Sequence, residues 1–281
     1  MLLLGGKEEF LLLAWMTPRV ISSAANPIFK KALRLRGRSA RQKEEGVFFA
    51  EGERAISRAL AAGLRAKELF LAEGATKPEG FSEEAPTFLL PEKLFCRLAF
   101  RQKPEGSLAL FSRPEERGLP TPSAKDFFLL LAGLEKPGNL GAMARTAAAA
   151  GCAGVLLIEE EARPAPDPFH PNAIHASTGA VFQLPIFTAE EGKLLAWLEK
   201  EGVSLFAAAP AGETDFREAR WKRPAALAIG AEDCGLPENL LAAAGKEGRL
   251  QIPQAAGVVD SLNAAAAAAI LLFAGKEEPT L

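Results

Sequence analysis

Hydrophobic positions fall into two successive patterns along the chain. Up to residue 112, short apolar runs are separated by polar stretches. Val47-Phe48-Phe49-Ala50 predicts a strand, Glu51–Ala62 a helix ended by Gly63, and Glu68–Ala72, Thr87–Leu90 and Leu108–Phe111 three further short strands. This alternation predicts a small α/β sandwich over residues 17–112. Residues 113–125 carry Pro114, Gly118, Pro120 and Pro122, the composition of a linker. Beyond it Phe127–Leu134 is a continuous apolar run, as a parallel strand buried on both faces requires. A helix over Gly141–Ala150 stops at Gly151, and a strand follows at Val155–Ile158. A helix over Ala189–Lys200, strands at Val203–Ala208, Ala225–Ile229 and Leu250–Ile252, and an alanine-rich helix over Ser261–Ala274 complete the series. The pattern predicts a second α/β domain over residues 126–276, with a mostly parallel sheet covered on both faces. Ligands of such sheets bind beyond the carboxyl ends of the strands.

With 281 residues the chain is long enough for two domains. The net charge of −2 makes the whole molecule no polycation, so a nucleic-acid site must come from uneven charge. The charge is uneven. Arg19, Lys30, Lys31, Arg34, Arg36, Arg38, Arg41 and Lys43 follow one another with no acidic residue from Thr17 until Glu44. Such a block points to phosphates, with Lys30, Lys31, Arg34, Arg36, Arg38 and Arg41 as candidates for binding nucleic acid. The competing reading is a solvated helix face with an exposed loop.

Cys96, Cys152 and Cys234 are odd in number and lack paired spacing, which argues against disulfides and a zinc site. His170 and His175 are the only histidines, so a multi-histidine metal centre is excluded. No apolar run is long enough to span a bilayer. Met1–Trp15 is broken by Lys7, Glu8 and Glu9 and lacks a signal-peptide pattern, so a cytoplasmic protein is expected. Translation is expected to start at Met16, ahead of the first domain.

Three loops at predicted strand ends carry candidate chemistry. In Glu135-Lys136-Pro137-Gly138-Asn139-Leu140-Gly141 the glycines allow tight turns, Asn139 can cap the next helix, and Arg145 can reach back to the strand end. The loop matches neither the dinucleotide nor the P-loop glycine pattern. In Ile229-Gly230-Ala231-Glu232-Asp233-Cys234-Gly235-Leu236, Gly230 permits close approach of a ligand, Glu232 brings in a carboxylate, and Pro237 suits a first helical position. In the third, Ile252-Pro253-Gln254 leads to Ser261-Leu262-Asn263, where Ser261 can cap the alanine-rich helix and Asn263 faces the same cleft. Taken singly, each is also an ordinary capped turn.

Taken together and in this order, the loops resemble the three signature motifs of the SpoU (TrmH-type) RNA methyltransferases. Asn139, Gly141 and Arg145 fit the first; Gly230, Glu232, Gly235 and Leu236 the second; Ile252, Pro253, Ser261, Leu262 and Asn263 the third. Ala176-Ser177 to Pro185 is similar to a further family segment, and the likeness covers residues 126–274. The N-terminal half resembles the ribosomal-protein-like domain that often precedes this catalytic domain, with Phe48–Arg54 echoing its F-x-x-E-G-x-R segment. His175 stands where the family usually has a basic residue, and Gln254 where it usually has an apolar one.

The resemblance implies a deep trefoil knot in the C-terminal domain, S-adenosylmethionine as cofactor, no metal, a homodimer, and methyl transfer to a ribose 2′-hydroxyl of RNA, ribosomal sooner than transfer RNA. Ala208, Gly230, Ile252 and Leu262 would hold the cofactor, largely through backbone groups. Arg145 would be catalytic, orienting the target phosphate and stabilising developing charge. Asn139, Glu232, Ser261 and Asn263 would complete the catalytic set, Glu232 anchoring Arg145 or Asn139 and the last two shaping the hydroxyl pocket. Methylation of a base nitrogen by a related knotted enzyme, and a non-catalytic RNA-binding assembly factor, are the alternatives.

Overall fold

The computed structural model describes residues 18–161, 163–231, 233–255 and 262–276. The proposed start at Met16, Leu2–Trp15, Glu232 and Ser261 lie outside the described residues. The chain divides into two compact units, one running to Glu115 and including Phe169–Ile174, the other comprising Glu116–Pro168 and His175 onward.

In the first unit, β1 (Arg19–Val20) leads to α1 (Pro27–Arg36). The α1 start is defined by Pro27 and by Asn26, whose side chain accepts from the Ile28 N–H at 2.9 Å. Phe29, Ala32 and Leu35 recur at helical spacing and are buried, while Lys30, Lys31 and Arg34 face outward. The basic residues of α1 thus lie on a solvated helix face, as a phosphate-binding surface and a plain surface both require. After α2 (Ser39–Glu44) come β2 (Val47–Glu51), α3 (Glu53–Ala61), β3 (Ala66–Ala72), β4 (Thr87–Leu90), α4 (Glu92–Leu98) and β5 (Ser107–Ser112). The sheet order is β1-β4-β3-β5-β2. β4 pairs in parallel with β1 and β3, and β5 antiparallel with β2 and β3. Phe49, Phe70, Phe88 and Phe95 fill the core against α1. A ring from the later segment joins this unit: Phe169 lies 4.8 Å from Phe48 and under the Arg113 guanidinium at 4.9 Å. It is followed by the short α6 (Pro171–Ala176).

The second unit runs β6 (Phe127–Leu131), α5 (Pro137–Ala150), β7 (Gly154–Glu159), β8 (Ile186–Glu190), α7 (Glu191–Lys200), β9 (Ser204–Ala208), β10 (Thr214–Asp215), β11 (Ala225–Ile229), α8 (Glu238–Gly248), β12 (Arg249–Gln251) and α9 (Ala264–Ala274). Its strands lie in the order β10-β12-β9-β11-β6-β7-β8, and every observed pairing is parallel. The central β6 and β11 are buried along their whole length, which is why they read as unbroken apolar runs. β8 and β10 are absent from the sequence reading because they are edge strands with polar positions, Ile-Phe-Thr-Ala-Glu and Thr-Asp. Helix α7 starts at Glu191, so Ala189 belongs to β8 and not to the helix.

Three helix starts also differ from expectation. Helix α5 begins at Pro137, not Gly141, because proline supplies a helical φ and needs no partner for a missing N–H; Asn139 is therefore inside the first turn and Lys136 is the cap residue. Helix α8 begins at Glu238 with Pro237 as its cap. Helix α9 begins at Ala264, and Asn263 caps it: its Oδ1 accepts from the N–H groups of Ala265 and Ala266 at 3.0 and 3.3 Å. From β12, next to the edge of the sheet, the chain returns so that α9 packs on α5 and on the central β11. The observed strand pairings of this sheet are all parallel, as the continuous apolar runs predict; residues 256–261 are outside the described residues.

Candidate active site

A cleft of about 220 Å3 opens beyond the carboxyl ends of the adjacent strands β12, β9 and β11. The β9 end contributes Ala208, Ala209 and Pro210; the β11 end contributes Ile229, Gly230, Ala231 and Gly235. Leu250, Ile252 and Gln254 come from β12 and its exit, and Leu262, Ala264 and Ala267 from the start of α9. The residues expected to hold the cofactor, Ala208, Gly230, Ile252 and Leu262, are far apart in sequence and all line this one cleft. The physical cause is the parallel sheet, which delivers every strand's carboxyl end to the same edge.

The loop after β11 is folded on itself. Ala231 and Gly235 exchange backbone hydrogen bonds of 3.2 and 3.0 Å, and Gly235 has φ +69°. A Cβ at Gly230 would lie 2.2 Å from the Gly235 carbonyl carbon and 2.5 Å from the Leu236 nitrogen. Glycine is therefore required at 230 by the loop's own backbone, where the sequence reading ascribed it to the approach of a ligand. Gly138, by contrast, sits in helix α5 with open space beside it, so no close approach explains it.

The catalytic candidates are distributed differently. Arg145 is exposed in the third turn of α5, roughly 12 Å along the axis from the helix start at 1.5 Å per residue. Asn139 is half-buried, and six positions along a helix of 3.6 residues per turn puts it on a different face from Arg145. Asn263 is exposed, and its oxygen is engaged as the α9 cap. None of these three is among the residues lining the cleft, and Glu232 and Ser261 are outside the described residues.

Arg163, which the sequence reading did not single out, straps two of the loops together. Its guanidinium lies 3.2 Å from the Cys234 Sγ, 3.4 Å from Asp233 and 3.9 Å from Glu135. The Asp233 carboxyl is held below its usual range, first by a hydrogen bond from its own backbone N–H and also by the Arg163 charge. The pair is exposed, so the strap orders the loop rims more than it stabilises the fold. An arginine inside a proline-rich loop gives no periodic signal, which is why only proximity reveals it.

In the first unit, the basic candidates also separate. Lys30, Arg34 and Arg38 are exposed, Arg41 is half-buried, and Lys31 makes a 3.5 Å ion pair with Glu68. Arg36 is turned inward instead. It donates from Nε to the carbonyls of Leu98 and Ala99 at 3.2 Å, donates from a terminal nitrogen to Ala99 at 2.7 Å, and covers the Phe100 ring at 5.2 Å. Its donors close the end of α4, which leaves Arg36 fewer donors for a phosphate than its exposed neighbours.

Among the described residues, no helix is long and apolar enough to cross a membrane.

The SpoU rRNA Methylase family matches residues 126–273, and the MRM3-like substrate binding domain matches residues 26–109. RlmP of Bacillus subtilis (strain 168), a 23S rRNA (guanosine(2553)-2'-O)-methyltransferase, is 29% identical over 253 residues, 90% of this chain and 97% of the relative. The crystal structure of an RNA 2'-O ribose methyltransferase superposes with a TM-score of 0.79 at 35% identity, covering 91% of this chain and 97% of its own. The AdoMet-bound rRNA methyltransferase from Sinorhizobium meliloti gives a TM-score of 0.79 at 29% identity, covering 92% and 97%. With the match spanning more than half of its length and the same parallel sheet beneath it, this chain belongs to the SpoU rRNA Methylase family of RNA methyltransferases.

Proposed function

We propose that the protein transfers a methyl group from S-adenosylmethionine to a ribose 2′-hydroxyl of ribosomal RNA, in the cytoplasm and as a homodimer. The observation that carries the reading is the cleft at the ends of β9, β11 and β12, where Ala208, Gly230, Ile252 and Leu262 meet. The cleft fits the cofactor. Its described walls are small apolar side chains and the peptide groups of three strand ends, suited to a flat ring and a ribose held through backbone donors and acceptors. The cofactor supplies the electrophilic methyl group. The protein's part is positioning and charge, because a ribose hydroxyl is a weak nucleophile. The Arg145 guanidinium orients the phosphate beside the target ribose and stabilises charge developing on the hydroxyl oxygen. Glu232 anchors Arg145 or Asn139, and Ser261 and Asn263 shape the hydroxyl pocket. The similarity to a 23S rRNA 2′-O-methyltransferase and to an RNA 2′-O ribose methyltransferase supports the choice of substrate.

The 17–112 region acts as the substrate-binding domain and 126–276 as the catalytic domain, joined by 113–125. Lys30, Lys31, Arg34, Arg38 and Arg41 hold RNA through sequence-independent phosphate contacts. Dimerisation is supported by α9. It has no polar side chain from Ala264 to Ala274, yet leaves Ile270 37% and Phe273 51% exposed. It packs on α5, which presents Ala148, Ala149 and Arg145 on its own exposed side. A dimer through this face would place Arg145 at the subunit interface, where the site is completed.

The test uses purified protein, labelled S-adenosylmethionine, and ribosomal and transfer RNA. The expected product is an alkali-resistant dinucleotide in ribosomal RNA, the mark of a 2′-O-methyl. Arg145→Ala should reduce transfer by at least about a hundredfold, as loss of one charge-stabilising group does, with cofactor affinity unchanged in calorimetry. Label on a base, or turnover within a few-fold of the parent, sinks the assignment.

A further inference from the structure

Gln254 differs from every other described residue lining the cleft. It alone has a polar side chain among residues otherwise limited to alanine, glycine, proline, leucine and isoleucine. It is exposed at the cleft, following Ile252-Pro253 at the exit of β12, and its amide makes no hydrogen bond within the described residues. A carboxamide presents an acceptor oxygen beside a donor NH2 in one plane. Adenine presents the complement along its edge, a donor amine beside an acceptor ring nitrogen, and glutamine pairs with it through two hydrogen bonds.

The rest of the lining decides which part of the cofactor comes here. The apolar walls accept the flat faces of a purine, whereas the amino-acid tail carries an ammonium and a carboxylate that need charged or strongly polar partners. No charged side chain is among the described lining residues. A purine ring in such a slot leaves its polar edge facing Gln254. From these observations, which rest on the cofactor reading above, we infer that the Gln254 amide reads the adenine edge of S-adenosylmethionine and selects adenine over other purines. An apolar side chain at this place would contact a ring through area alone, so the amide adds a purine discrimination that such a residue does not supply.

The experiment is calorimetric titration of the full chain with S-adenosylhomocysteine and with its analogue lacking the exocyclic 6-amine. Parent, Gln254→Met and Gln254→Glu are compared. The parent should prefer the amine-bearing compound by about tenfold, the worth of one net hydrogen bond. Gln254→Met should bind both compounds nearly equally. Gln254→Glu should bind more weakly overall but keep the preference, because a carboxylate still accepts from the 6-amine. Thermal melts of the three proteins should coincide, since the side chain is exposed. A Met variant that retains the parent's preference overturns the inference, as does a Glu variant that loses it. A parent that binds neither compound removes the cleft as the cofactor site, and with it the reading beneath; that result is distinct from binding without discrimination.

Discussion

Residues of one chemical type take opposite roles in this protein according to what the fold places beside them. Arg34 and Arg36 stand two apart on α1, yet Arg34 is exposed while the Arg36 guanidinium is closed onto the carbonyls of Leu98 and Ala99. Arg36→Ala should therefore lower stability by about 1–3 kcal/mol, the cost of leaving acceptors of a charged donor unsatisfied. Arg34→Ala should stay within about 0.5 kcal/mol in urea denaturation, but weaken RNA binding and flatten its salt dependence. Equal stability losses for both would show that Arg36 is an ordinary surface residue. Glu51, in the segment echoing F-x-x-E-G-x-R, is another buried case. Its Oε2 accepts from the N–H groups of Phe100 and Arg101 at 2.6 and 3.2 Å, while Oε1 is buried without a hydrogen-bond partner among the described residues. Burial, outweighing the hydrogen bonds from Phe100 and Arg101, raises its pKa above the usual carboxylate value. A raised folded-state pKa means that its contribution to stability is complete below the unfolded value and is lost as pH rises through the folded value. Glu51→Gln, which cannot ionise, should gain stability relative to the parent as pH rises above the ordinary carboxylate value of about 4.3. A difference that is flat with pH, or reversed, contradicts this account.

At the scale of elements, α9 is the piece that connects packing to the cleft. It forms one wall through Ala264 and Ala267, packs on α5, and is fixed at both ends. Asn263 caps its start, and at its end Arg223 donates to the Gly275 carbonyl while lying 3.8 Å over the Phe127 ring. An alanine-rich helix has high intrinsic propensity, so its position, and not its formation, depends on these fixings. Asn263→Ala should cost about 0.5–2 kcal/mol, as loss of an N-cap does, and should weaken cofactor binding because the wall shifts. Asn263→Asp, which caps equally well, should restore both stability and binding; if it restores stability alone, the Asn263 amide acts on the ligand directly.

For the whole molecule, the decisive feature is an apolar helix with an exposed side. Ile270 and Phe273 lie within one turn of each other on α9 and face outward. If that side is the dimer face, Phe273→Glu should convert a dimer into a monomer at micromolar concentration in sedimentation velocity, because burying an unpaired carboxylate is strongly unfavourable. Methyl transfer should fall with dimerisation, while S-adenosylhomocysteine affinity, which depends on the cleft within one chain, should hold. A parent that sediments as a monomer at all concentrations, or an unperturbed Phe273→Glu dimer, places any interface elsewhere.

Much of this was legible in the chain itself. The buried strands β6 and β11 were read from continuous apolar runs, since parallel strands covered on both faces admit few polar residues. The residues lining the cleft were read from motifs at strand ends, and the parallel sheet gathers Ala208, Gly230, Ile252 and Leu262 at one edge. Local sequence could not reveal contacts made at a distance. The edge strands β8 and β10 pair on one side only and carry polar residues that look like loop. The Arg163 strap, the inward turn of Arg36, and the backbone closure that demands glycine at 230 each join segments brought together by the fold or by a turn whose shape composition does not specify. Periodicity and motif order determined the fold class, the family resemblance and the location of the cleft, because burial and turn geometry act on neighbouring residues. Tertiary structure alone decided which arginines stay exposed and which polar side chain lines the cleft, because side-chain partners are set by proximity in space and not by position in the chain.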